Sequence, residues 1–393
     1  MKNNLWGKIV SFLLLVILPS AIFIAGCQSN HNRLEDHTYN PIINSGKENF
    51  DVYSIFLDDS FIYFTFVSDD CVTFYRHYFK DNRVIEIGSV PNYVFNIGFH
   101  ALIQDKLFFY ITVAESISDV FEENKYENIL YAIDIDKNTM EKISAESEYL
   151  PGAIIHSSGD IIVTRQSKRS DNNILTTFIE LFDVNSGKVL KKSDEHILDD
   201  NTNIGSYIMN TCTYNNYIYA LIDERFEDGT NEPDIYVFDN DFNLVRTINM
   251  GSVSDKIMAA RVGTMEIYKD FVFMSNYSDF SFIGTIENDT IKPLIEEQFI
   301  DIALQYSEEY PPIFFVRGTN RVIMLDCENK KLEQIELKLP EEYMIQFMMS
   351  TEENAFITLF AYSETPDDDK HNLLYFLKRD ALDVAQFNIY SSP

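Results

Sequence analysis

The sequence predicts an all-β fold, a β-propeller of seven four-stranded blades. Three observations predict it: β-rich runs broken by turn residues, a long-period repeat, and little helical periodicity. From about Phe50, short runs of Val, Ile, Phe, Tyr and Thr alternate with clusters of Asp, Asn, Ser and Gly. Only Ser116 to Glu127 and Pro340 to Met349 read as helical turns. So few helices exclude a doubly wound α/β architecture.

The repeat is an apolar strand, usually led by Asp, Asn or Gly. Its copies are Ser60 to Phe64, Lys106 to Tyr110, Asp160 to Thr164, Tyr217 to Ala220, Asp270 to Met274, Pro312 to Val316 and Ala355 to Leu359. With Ile62, Phe108, Ile161, Ile218, Val272, Phe314 and Ile357 as registers, the intervals are 46, 53, 57, 54, 42 and 43 residues. A second marker follows downstream, an apolar strand that ends in Asp and a turn. Its clearest copies are Leu130 to Asn138, Glu180 to Gly187, Ile235 to Asn243 and Val322 to Asn329. Shorter fourth strands come next, at Lys188 to Leu190, Leu244 to Ile248 and Lys331 to Leu337.

A lone four-stranded sheet cannot bury both of its faces. Radial stacking lets each sheet cover its neighbour and leaves only short edges. The abundant Tyr and Phe are read as core that fills the gaps between twisted blades. Six blades with long loops, eight with a divergent one, or two stacked sandwiches are the alternatives, and the even spacing favours a single ring.

Residues 1–26 carry Lys2, Lys8 and no acid, followed by an apolar run from Ile9 to Ala25, the layout of a secretory signal. The run is short for a full span, Pro19 interrupts it, and the polar stretch Gln28 to Thr38 follows at once. It closes on Ile24, Ala25, Gly26 and Cys27, which resembles the lipobox of bacterial lipoproteins. That resemblance implies diacylglyceryl lipid on Cys27, cleavage before it, and a cell-membrane anchor on the extracytoplasmic face; two acyl chains hold stably where one is marginal. Residues 27–49 then read as a flexible tether and 50–393 as one propeller domain. The repeating unit also resembles the blades of bacterial secreted propellers, including lipoprotein propellers. It lacks Gly-His and Trp-Asp blade signatures and the paired glycines of kelch repeats, and its one tryptophan, Trp6, lies in the signal.

The formal net charge is −31, with 46% hydrophobic residues, which is too apolar for a disordered chain. Such acidity sets nucleic acid aside as a partner, because self-repulsion adds to the missing counterion release. Cys71, Cys212 and Cys327 are odd in number and far apart, so they are read as small buried hydrophobes in strands rather than a disulfide or metal set. Asp134, Asp136 and Asn138 match the start of a calcium loop, but Thr139 and Ala145 stand where Gly and Glu belong. Because the acidic turn recurs at Asp183, Asp239 and Asp326, turn capping explains it better than metal. Asp367 to Asp369 with Glu364, and Glu122 with Glu123, are charge runs in insertions, read as solvated.

The seven histidines are His31, His37, His77, His100, His156, His196 and His371, and they show no metal or catalytic spacing. No catalytic residue, cofactor or metal is expected. The reading is an anchored, non-catalytic binding or scaffold module whose loops take a protein or cell-envelope ligand. The alternatives are a propeller-type glycan or peptide hydrolase or lyase, and a transporter solute-binding lipoprotein with two α/β lobes.

Overall fold

The structure is a computed structural model. It describes residues 51–382 apart from 59, 68–70, 79, 82, 92, 104, 115–125, 144–152, 159–160, 170–173, 200–203, 229, 254–255, 257–262, 277–279, 304–309, 340–342, 352–353, 362–372 and 380–381. The expected signal, Cys27 and the expected tether lie outside the described residues.

The described strands pair in chain order as antiparallel meanders. The first is β1 (Asp51–Leu57), β2 (Phe61–Val67), β3 (Cys71–Tyr78) and β4 (Arg83–Pro91). The second is β5 (Tyr93–Ile103), β6 (Lys106–Ala114), β7 (Tyr126–Asp134) and β8 (Thr139–Lys142). The third is β9 (Ala153–Ser158), β10 (Ile161–Arg169), β11 (Leu175–Asp183) and β12 (Lys188–Lys192). After β13 (His196–Asp199) comes the fourth, β14 (Ile204–Tyr214), β15 (Tyr217–Arg225), β16 (Asn231–Phe238) and β17 (Leu244–Asn249). The fifth is β18 (Thr264–Tyr268), β19 (Phe271–Ser275), β20 (Ser281–Glu287) and β21 (Thr290–Glu296). The sixth is β22 (Ile300–Ile302), β23 (Ile313–Val316), β24 (Arg321–Asp326) and β25 (Lys331–Glu336). The last shows three described strands, β26 (Tyr343–Ser350), β27 (Asn354–Ala361) and β28 (Leu373–Lys378).

Every copy of the repeated apolar run is the second strand of its meander. Burial explains why those runs are unbroken. In β6, Leu107, Phe109 and Ile111 pack toward the first meander, whereas Phe108 and Tyr110 pack toward the third. In β15, Ile218, Ala220 and Ile222 face the third meander while Tyr219 and Leu221 face the fifth. In β23, Phe314 and Val316 face back and Ile313 and Phe315 face on. A strand covered on both faces has no polar side to alternate with. Each large side chain so buried contributes about 1.5–3 kcal/mol.

The apolar core is therefore divided into clusters, one between each successive pair of meanders. Along the inner edge β5 lies against β9, β9 against β14 and β14 against β18, and β1 of the first meander lies against β26 of the last. The contacts close on themselves, which makes the architecture a β-propeller. It is not the pair of α/β lobes that a solute-binding lipoprotein requires.

Three expectations are corrected. Residues 343–350 form β26, not a helical turn: Ile345, Met348 and Met349 are buried, and the segment pairs with β27. Tyr126 and Glu127, the end of the other supposed helical turn, open β7; most of that stretch lies outside the described residues. Cys327 sits half-buried in the turn after β24 rather than buried in a strand, Cys71 is in β3 but only half-buried, Cys212 is buried in β14, and no disulfide joins the three.

Candidate functional site

A meander gives the ring two unlike ends. The connections from first to second and from third to fourth strand leave from one end, and the remaining connections leave from the other. Contacts between neighbours confirm that the ends match around the ring: Lys191 pairs with Asp241, Arg246 with Asp289 at 3.1 Å, and Lys330 with Asp270 at 2.8 Å, all at the first end. Apart from 303–312, the connections at this turn end are tight, such as 104–105, 215–216, 269–270 and 288–289. The loop end carries the longer ones, among them 115–125, 143–152, 193–203 and 362–372.

The recurring acidic turn is at the turn end, and its carboxylates are engaged by the turn itself. Asp183 accepts from Asn185 N and Ser186 Oγ, Asp239 from Asp241 N and Asn243 N, and Asp326 from Glu328 N and Asn329 N. Asp134 accepts from Lys137 N at 2.9 Å and from the Lys137 ammonium. These hydrogen bonds hold all four carboxyls below the usual carboxylate range. Four residues beyond Asp134, Asp183 and Asp326, the residues Asn138, Gly187 and Lys330 have φ of 53°, 69° and 52°. The turn requires that left-handed residue, and Asn is among those that take it most readily, which accounts for the calcium-like pattern of Asp134, Asp136 and Asn138.

Asn138 also has a protein cation against it. Arg76 donates from a terminal guanidinium nitrogen to Asn138 Oδ1 at 2.7 Å and to Ile135 O at 2.5 Å. Its guanidinium lies 3.7 Å from the Phe61 ring centroid and 4.5 Å from that of Tyr78. Burial pushes the neighbouring Tyr63 hydroxyl up to about 12, against the pull of Arg76. This is a clamp between the first two meanders.

The other singled-out residues scatter. Asp367 to Asp369, Glu364, Glu122, Glu123, His31, His37 and His371 lie outside the described residues. His77 is buried in β3, and His100 and His156 fall in β5 and β9. His196 joins a polar constellation, one that the sequence reading missed.

That constellation stands at the loop end, where β13 bridges β11 and β14. His196 Nδ1 and Ser206 Oγ share a hydrogen bond of 2.8 Å. Ser206 is opposite Glu224 in the β14–β15 register, and Glu224 is opposite Glu232 in β15–β16. Tyr236 donates its hydroxyl to Glu224 Oε1 at 2.7 Å. Burial lowers the His196 pKa, although Asp194 and Glu224 pull the other way. Burial first, then Glu232 and Glu224, raise that of Asp234. Beside them Asp223 is fully buried, with Oδ2 taking Arg225 Nε at 3.2 Å and Oδ1 accepting no hydrogen bond; burial raises its pKa too.

The sequence carries only a partial signal for this site, its charged triplet. Asp223, Glu224 and Arg225 end an apolar strand without a turn residue among them, so charge is drawn into sheet. Chemically the group concentrates carboxylates and one neutral imidazole at a rim, an arrangement that attracts cations.

No protein-family model matches the chain, and no curated protein matches it. Among solved structures it is similar to Pyrococcus horikoshii acylaminoacyl peptidase, with a TM-score of 0.50 at 10% identity over 84% of this chain and 52% of that one. An acylaminoacyl peptidase in complex with Z-Gly-Gly-Phe-chloromethyl ketone gives a TM-score of 0.51 at 9% identity over 83% and 52%. The β-propeller domain of the Trilobed protease from Pyrococcus furiosus gives 0.48 at 12% identity over 83% and 95%. The chain spans about half the length of the acylaminoacyl peptidases it matches, and at these identities the likeness is one of fold.

Proposed function

We propose that the chain is a membrane-anchored extracytoplasmic lipoprotein whose propeller, of seven blades, is a non-catalytic binding or scaffold module. In this reading residues 1–26 are the signal, Cys27 carries the diacylglyceryl lipid, 27–49 form the tether and 50–393 the propeller. Among the described residues no helix is long and apolar enough to cross a membrane. The observation that carries the binding role is the inequality of the two ends. The acidic turns of one end spend their carboxylates on their own backbones, whereas the other bears the long connections and the carboxylates around Glu224. With a net charge of −31, the partner it suits is a protein or envelope ligand with a basic patch.

Capture from solubilised membranes tests this. A specific partner should be recovered with the wild-type chain, and less of it as salt rises. Recovery of no partner, or salt-independent capture, contradicts the reading. Detergent partitioning tests the anchor: Cys27→Ser should move the protein to the aqueous phase, and unchanged partitioning contradicts lipidation.

A second reading, a propeller-type hydrolase, is favoured by the His196–Ser206 hydrogen bond, a base beside a hydroxyl nucleophile. Covalent labelling by a fluorophosphonate that Ser206→Ala abolishes is its expected signature, and absence of labelling removes it.

A further inference from the structure

Two large apolar side chains are exposed on adjoining strands of the loop end: Ile197 of β13, at 47%, and Phe226, at 41%, immediately after β15. Leu198, Gly205 and Arg225 form one row across β13, β14 and β15. Ile197 and Phe226 flank that row, which places them roughly 10–12 Å apart by strand spacing. Three or four extended residues of a peptide span that distance.

The rim is acidic. Asp194, Glu227, Asp228 and Glu232 are exposed around the two apolar residues, with Glu224 half-buried between them. Arg225 is engaged by Asp223 and Lys192 by Glu195. The registers through β11 bring Lys168 and Arg169 of β10 into the rows of Ile197 and Leu198, two cations against these five acids. The surface thus pairs apolar anchors with a net negative charge. Anionic lipid headgroups and a second copy of this chain are both repelled by such a rim.

Resting on the binding reading above, we infer that this end of β13–β16 is the docking surface for a basic, amphipathic segment of a protein partner. Arginine or lysine of that segment meets Glu224, Glu227 and Glu232, and its aliphatic or aromatic side chains cover Ile197 and Phe226. Apolar anchors supply affinity, and the charged rim supplies register and a fast encounter.

The test uses the full chain in detergent and a fluorescein-labelled eight-residue peptide that alternates arginine and leucine, followed by fluorescence anisotropy. Phe226→Ser with Glu232→Lys should weaken binding about ten-fold or more. Tyr217→Ser with Asp289→Lys, at the turn end, should change it less than about two-fold on the same reasoning. A glutamate–leucine peptide should not bind. Equal weakening by both pairs, or by neither, overturns the proposal, because attraction would then be to the overall charge. Loss of sedimentation with phosphatidylglycerol vesicles, or of a chain dimer, on Phe226→Ser would assign the patch to a membrane or a second copy and also overturn it. If a partner captured from membranes still binds the Phe226→Ser, Glu232→Lys chain, this location falls while the binding role stands.

Discussion

Arg76 shows how one residue ties two meanders. It is only 7% exposed, so its charge is tolerated because aromatic faces and two oxygens surround it. Arg76→Met should lower stability by about 2–4 kcal/mol, since Ile135 O and Asn138 Oδ1 lose their donor. Arg76→Lys should not restore it, because an ammonium neither forks nor stacks as the guanidinium does. Urea midpoints check both, and a wild-type midpoint for Arg76→Met contradicts the clamp. Asp223 works in the opposite sense. Its folded pKa is raised, so the folded state binds the proton more tightly than the unfolded chain does. Stability from this group is therefore full below the unfolded carboxylate value, about 3.9, and is lost as pH rises through the folded value. Asp223→Asn should remove that loss and raise the melting temperature at pH 7 by about 2 °C, roughly 1 kcal/mol. A lower melting temperature would show that the Arg225 bond outweighs burial.

At the scale of the element, the second strands were the legible part of the sequence, because burial on both faces leaves an unbroken apolar run. The third strands were legible through their terminal Asp, since the same tight turn needs the same caps. The strand β26 was not. Tyr343 to Met349 is rich in residues that suit helices, and what makes it a strand is hairpin pairing with the next strand, Asn354–Ala361, together with packing beside β23 some way back in the chain. The loop-end constellation was hidden for a related reason: His196, Ser206, Glu224 and Tyr236 meet only through the registers of four strands. Gly284 marks a further constraint invisible in sequence. It lies at the register shift between β20 and β21, where a Cβ would stand 2.8 Å from Lys292 O. Gly284→Ala should cost about 1–3 kcal/mol, as overpacking against backbone does. An unchanged urea midpoint would mean that the bulge shifts freely.

At the scale of the whole molecule, the contact of β1 with β26 turns a row of sheets into a ring. A ring has two ends, and here they differ: the capped acidic turn recurs at one, and the other bears the longer connections and the polar group around Glu224. β15 runs from one end to the other, with exposed Tyr217 at the turn end and exposed Phe226 at the loop end, roughly 30 Å apart along the strand. Replacing each in turn with a photo-crosslinking phenylalanine in the full chain, and irradiating intact cells, compares the ends directly. The account predicts a salt-sensitive covalent adduct with a basic protein from position 226 and none from position 217. An adduct from position 217 alone, or from neither position, would contradict it.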